Sequence, residues 1–155
     1  MKVIVSIERD PSRKREIHRH LTALLPEWFG QADSNLRYAR QAEALAGYVA
    51  CVDDEARGML LLKAHSRHSI EIYWLGVDPT WHRAGIGRAL VEAACEAAQA
   101  NGAQFLFVST LHPSEAYEPY QRTRRFYEAM GFQYVLEEQT PKKGNPLAYY
   151  MKQLA

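Results

Sequence analysis

The spacing of apolar residues changes several times along the chain, and each change predicts an element. Residues 3–7 read as a strand. Asp10-Pro11 then offers an N-cap and a first-turn proline, and Ile17, Leu21, Leu24 and Leu25 make a helical stripe that Pro26 stops. Asp33-Ser34 predicts the cap of a second helix, with Leu36, Ala39, Ala42 and Leu45 toward the core and Gly47 as its end. Residues 48–53 and 58–65 predict paired strands joined through Asp53-Asp54-Glu55. A fourth strand covers residues 70–77 and is stopped by Asp78-Pro79. Next comes an Ala-rich helix with Ile86, Leu90, Ala93 and Ala97 on one face, small enough for a close approach to a sheet, ending at Asn101-Gly102. Residues 105–110 predict a fifth strand and residues 119–130 a helix with Gly131 as its stop. Two last strands, 132–137 and 147–154, flank the turn-forming stretch 141–146. Strands and helices alternating in this way predict an α/β fold with a mixed sheet.

At 155 residues and 47% hydrophobic, the chain can fill one core and is too short for two comfortable ones, so residues 1–155 are expected to form a single domain. Lys and Arg number 19 against 18 Asp and Glu, which argues against a nucleic-acid partner. The two cysteines, Cys51 and Cys95, have apolar neighbours and no metal-ligand company. They read as buried thiols in a reducing compartment. The first residues form an apolar run too short for a signal peptide, and no stretch approaches a membrane span, so a soluble cytoplasmic protein is expected. His65 and His68 lack a third ligand at metal spacing, and no metal is expected.

Candidate chemistry concentrates between the fourth strand and the helix that follows. Here His82-Arg83-Ala84-Gly85-Ile86-Gly87-Arg88 joins strand to helix. Glycines without a Cβ, consecutive N–H groups and a helix N-terminus together favour a phosphate. A Walker A loop would need Lys-Ser or Lys-Thr after the last glycine, where Arg88-Ala89 stands. A dinucleotide fingerprint would need a third glycine, where Leu90 stands.

The spacing instead resembles the acetyl-CoA loop of the GNAT acetyltransferase superfamily, Q/R-x-x-G-x-G/A, with His82 where the family usually has Gln or Arg. Downstream, Phe126-Tyr127-Glu128-Ala129-Met130-Gly131-Phe132 is similar to the family's F-Y-x-x-x-G-F stretch and follows the fifth strand in the expected order. The resemblance covers residues 48–150. It implies residues 47–155 as an acetyl-CoA-binding core and 1–46 as an acceptor-side part.

What the resemblance implies for single residues is specific. Coenzyme A would lie along the fourth strand, whose backbone in the family faces a gap in the sheet there. The N–H of Leu75 would face the thioester carbonyl and the backbone of Val77 the pantetheine amides. Amides of Arg83, Ala84, Gly85, Ile86, Gly87 and Arg88 would hold the pyrophosphate, with His82 and Phe126 beside the cofactor. Tyr127 matches a tyrosine that gives the departing thiolate its proton, with packing beside Phe126 as the other reading. Glu71 stands where the histone-acetylating branch has its general base, and otherwise reads as a solvent-facing strand carboxylate. Residues 71, 73, 75 and 77 share a face if the strand is regular, which makes Tyr73 a wall of the acceptor pocket. His112 is a reserve candidate for base or cofactor contact.

Three segments remain open. Trp28 and Phe29 read as a core plug before an acceptor wall. Arg122, Arg124 and Arg125 read as a solvated helix face, with a CoA phosphate contact as the alternative. The resemblance implies an N-acetyltransferase using acetyl-CoA as cosubstrate, with direct attack by a primary amine of a small molecule or peptide. A non-catalytic CoA-binding or regulatory module is the alternative, and a homodimer stays open.

Overall fold

The computed structural model describes residues 2–138 and 146–154. Its elements are β1 (Ile4–Glu8), α1 (Pro11–Ala23), α2 (Ala32–Ala44), β2 (Ala46–Val52), β3 (Glu55–Ala64), β4 (Ser69–Val77), α3 (Ile86–Ala100), β5 (Phe105–Leu111), α4 (Glu118–Ala129), β6 (Gln133–Glu137) and β7 (Leu147–Gln153). The seven strands run in the order β1-β2-β3-β4-β5-β7-β6. The β4–β5 pair is parallel, and the β1–β2, β2–β3, β5–β7 and β6–β7 pairs are antiparallel. This is the α/β fold with a mixed sheet that the strand and helix order predicts. Of the expected turn at 141–146, residues 141–145 lie outside the described residues.

The chain divides into two compact units, Met1–Lys63 with Ile72–Ala97, and Ala64–Glu71 with Ala98–Ala155. The first unit contains a core of Ile17, Leu21, Ala42, Val49, Met59, Leu61 and Trp74. Asp10 caps α1 as expected, its carboxylate accepting the Ser12 N–H at 3.0 Å. Helix α2 differs: it starts at Ala32 behind Gln31, which makes no side-chain cap, and Asp33 falls in the first turn. An acid one position inside the helix still favours the dipole, so the sequence signal is displaced without being lost. Gly47 does not end that helix. It lies inside β2, opposite Leu61 and Glu8. The helix is closed instead by buried Lys14, whose Nζ donates to Leu45 O at 2.7 Å. A Cβ at Gly47 would come 2.9 Å from the Lys14 stem, so the glycine makes room for that stem.

In the second unit β5 pairs with β7 along its whole length, from Phe105↔Gln153 to Leu111↔Leu147. Helix α4 ends at a left-handed Gly131 (φ 94°), and Lys152 Nζ donates to Met130 O at 2.8 Å. Cys51 and Cys95 are only half-buried, which corrects the expectation of buried thiols. No helix among the described residues is long and apolar enough to cross a membrane.

One residue of α1 carries a measurable cost. His18 is 1% exposed, its ring lies 4.4 Å from that of Trp74, and neither ring nitrogen has a hydrogen-bond partner among the described residues. Burial lowers its pKa from 6.5 to about 4. The folded chain therefore resists a proton that the unfolded chain accepts. This group's contribution is complete above pH 6.5 and is lost as pH falls toward 4, in total about 3 kcal/mol. Urea unfolding at pH 7 and at pH 4 should show that loss in the wild type. His18→Leu should remove that part of the pH dependence, and an unchanged dependence would refute the assignment.

Candidate active site

The strand-to-helix loop is clamped at its start. Buried Asp78 donates its backbone N–H to Arg57 O at 2.8 Å, and its Oδ1 accepts the Thr80 N–H at 3.0 Å. That bond caps a single 3-10 turn, Pro79–Trp81. Arg57 reaches Asp78 Oδ2 at 3.5 Å and lies over the Trp81 ring, 5.2 Å from its centre. His82 follows in extended conformation, and its Nε2 donates to Val77 O at 2.8 Å. Arg83 is left-handed (φ 64°), unusual for a residue with a Cβ, and Gly85 is left-handed too (φ 84°). Left-handed residues on both sides of Ala84 reverse the chain there, and the Ala84 N–H is given back to Trp81 O at 3.3 Å.

Helix α3 begins at Ile86, and the bond Ala89 N–H to Gly85 O (3.0 Å) opens its ladder. Amides of a first turn have no acceptor within their own helix. Helix α3 has no acidic residue in its first turn, so no carboxylate of that turn neutralises the dipole. A Cβ at Gly85 would meet no atom within 4 Å, so the space in front of the turn is open. The Arg88 side chain is 59% exposed, 3.8 Å from Glu92. The loop residues from Arg83 to Arg88 thus stand together at the N-terminus of α3.

Burial along β4 alternates, with Ile72, Trp74 and Gly76 buried and Glu71, Tyr73, Leu75 and Val77 half-buried. This is the parity expected for a regular strand. Gly76 leaves space for the Trp74 ring, which a Cβ there would strike at 2.3 Å. Phe29 stacks on that ring at 5.1 Å, so the plug reading of Phe29 holds. Trp28 instead meets the His82 ring edge-on, centroids 5.8 Å apart. Tyr73 packs against Tyr38 at 5.3 Å, and Lys63 Nζ lies 5.3 Å from the Tyr73 ring centre.

The remaining candidates belong to the second unit. The parallel register of β4 with β5 covers Ser69 to Glu71 and ends at Glu71↔Phe107. Glu71 is not a solvent-facing carboxylate. Its side chain is 13% exposed, and its Oε1 lies 2.7 Å from His65 Nε2 across the β3–β4 hairpin. The sequence carried this signal in outline, because a hairpin closing His65 N–H onto Ser69 O (3.1 Å) brings His65 back toward β4.

Tyr127 is 4% exposed, between Phe126 at 5.2 Å and Phe132 at 5.3 Å. Burial pushes its phenol well above the ordinary value, so it stays neutral and keeps its proton at any physiological pH. Phe126 is half-buried.

His112 has both ring nitrogens engaged, Nε2 with Glu137 Oε2 at 2.7 Å and Nδ1 with the Ser114 N–H at 3.0 Å. That pins the loop after β5 to β6 and leaves the ring poorly placed for a base. Arg124 corrects the expectation of a solvated face. It is buried, donating from Nη1 to Leu111 O (2.7 Å) and from Nη2 to Glu115 O (3.4 Å). An Arg on a helix satisfies bare loop carbonyls this way, and charge runs in a sequence do not distinguish that role from solvation. Arg122 and Arg125 do pair at the surface, with Glu118 at 2.8 and 4.0 Å.

No group of three or more His, Cys, Asp or Glu among the described residues could hold a metal ion. A GNAT-family protein from Desulfovibrio desulfuricans superposes on the chain with a TM-score of 0.81 at 22% identity, over 99% of this chain and 100% of that one. An IAA acetyltransferase from Bacillus cereus gives 0.73 at 18%, over 99% and 100%. A GNAT family acetyltransferase from Elizabethkingia anophelis, solved with acetyl-CoA bound, gives 0.69 at 15%, over 98% of each chain. At these identities the likeness establishes the fold. No curated protein sequence matches the chain. The profile of the Acetyltransferase (GNAT) family matches residues 7–132, most of the chain's length. The chain belongs to the GNAT acetyltransferase family.

Proposed function

We propose that this chain is an N-acetyltransferase that moves the acetyl group of acetyl-CoA to a primary amine of a small molecule or peptide. The observation that carries the reading is the open, left-handed turn at Arg83 and Gly85 in front of α3, which supports a diphosphate bound at that helix N-terminus. Leu75 N–H donates to the oxyanion that forms as the amine nitrogen bonds to the carbonyl carbon. Glu71 takes the amine's proton, its carboxylate oriented by His65. Tyr127 returns a proton to sulfur as the carbon–sulfur bond breaks. The products are the acetylated amine and free CoA thiol, with protons balanced. Trp28 and Tyr73 form acceptor-side surface.

A second reading has an observation in its favour. Tyr127 is enclosed by Phe126 and Phe132, which suits a packing residue, and a CoA-binding module without turnover needs no acid.

Binding and turnover are tested separately. Gly85→Glu should abolish acetyl-CoA binding in calorimetry, since it puts a carboxylate into the open anion site. Gly85→Ala, which keeps only the cost of a Cβ at φ 84°, should bind more weakly but measurably. Equal binding by Gly85→Glu and wild type would place the phosphates elsewhere.

Thiol release from acetyl-CoA against a panel of amines, polyamines, aminoglycosides and peptides tests catalysis. With an active acceptor, Tyr127→Phe should lower kcat by about 10²–10⁴-fold and leave acetyl-CoA affinity near wild type. Glu71→Gln should remove one limb of the pH–rate profile. Wild-type turnover in Tyr127→Phe, with chemistry limiting, would remove the acid from the mechanism. In that case Tyr127→Ala should still destabilise by about 3–5 kcal/mol as a core truncation.

A further inference from the structure

We infer that His82 is a positioning residue for the phosphate loop, acting through a side-chain bond to Val77 O and not by touching the phosphates. The inference rests on the acetyl-CoA reading only for its effect on affinity. The tether itself is a property of the free protein.

Three observations meet at this residue. His82 stands at the first position of the loop pattern, where Gln and Arg are usual, and all three side chains share an N–H donor and little else. In this chain that donor is spent, because Nε2–H is given to Val77 O at 2.8 Å. A nitrogen committed to a carbonyl is not available to a phosphate. The bond closes the chain from the end of β4 to the crest of the loop, five residues on. Immediately after His82 comes the left-handed Arg83, a conformation that persists only when its surroundings over-determine it. The Asp78–Arg57 clamp fixes the start of the loop, and Ile86 fixes its end by entering α3. The imidazole tether fixes the crest between them.

Trp28 supplies the third observation. Its ring meets the imidazole edge-on at 5.8 Å and an interplanar angle of 78°. The neighbouring Phe29 is anchored, stacked on Trp74 and with its carbonyl accepting Asn35 Nδ2 at 2.6 Å. The segment between α1 and α2 is therefore a fixed wall on one side of the His82 ring. It limits the rotamers open to an otherwise exposed imidazole and so favours the one that reaches Val77. Through this contact, order in the phosphate loop and order at the acceptor-side segment depend on each other.

The test is hydrogen exchange by mass spectrometry on the free protein, combined with calorimetric acetyl-CoA affinity, for His82→Ala, His82→Gln and Trp28→Ala. His82→Ala should speed exchange at the amides of residues 83–88 without lowering the melting temperature appreciably. It should also weaken acetyl-CoA binding by about fivefold, the worth of one hydrogen bond, with the loss appearing in the KM for acetyl-CoA. His82→Gln, which keeps a donor of similar reach, should restore both. Trp28→Ala should show a smaller change in the same loop amides. Unchanged exchange in His82→Ala would overturn the tether, and so would His82→Gln behaving like His82→Ala. Weakened binding with unchanged exchange would make the side chain a direct ligand and overturn the inference as well. If the wild type binds no acetyl-CoA, the cofactor reading fails, while the exchange data still decide the tether.

Discussion

Helix α3 lies so close to β3 that a Cβ at Gly58 would stand 2.8 Å from Ile86 Cγ2 and 3.0 Å from Leu90. Ile86 and Leu90 are fully buried in that contact. The approach fixes where the first turn of α3 points its amides, since Ile86 is the first residue of the helix. A helix N-terminus can hold an anion only if it is held itself, because the dipole's benefit falls off within one turn. The Ala-rich face of α3 and the missing side chain at residue 58 thus set where that first turn lies.

Three long cationic side chains are spent on backbone carbonyls, each within its own unit. Lys14 ends α2 on Leu45 O, Lys152 ends α4 on Met130 O, and Arg124 holds the loop after β5 by Leu111 O and Glu115 O. A buried carbonyl without a donor costs free energy comparable to a lost hydrogen bond. A long cationic side chain meets that need while its apolar stem packs. His18 shows the opposite case, a buried ring beside Trp74 with no hydrogen-bond partner among the described residues, whose pKa burial lowers.

Much of this was legible in the sequence because period and punctuation report local physics. The strands, the four helices and the loop at residues 82–88 follow from apolar spacing and from Gly and Pro. Helix boundaries were less legible. Gly47 looks like a stop signal but serves as the space for Lys14, and nothing local announces a lysine thirty-three residues earlier. The pairing of Glu71 with His65 needed the hairpin register, and the burial of Arg124 needed the path of the loop it holds. The two motif matches were legible because backbone requirements restrict residue choice strongly. Acceptor recognition was not, because an aromatic pair such as Tyr38 and Tyr73 has the same composition whether it lines a pocket or fills a core.

On the acetyltransferase reading, the turn before α3 holds the diphosphate of acetyl-CoA. Thermal melting with acetyl-CoA, ATP and NAD in parallel addresses it most directly. At about a hundred times its dissociation constant, a ligand bound only by the folded chain adds about 2.7 kcal/mol, a shift of several degrees for a chain of this size. That shift is expected with acetyl-CoA, and a much smaller one with ATP or NAD. A shift with ATP or NAD and none with acetyl-CoA would contradict that reading.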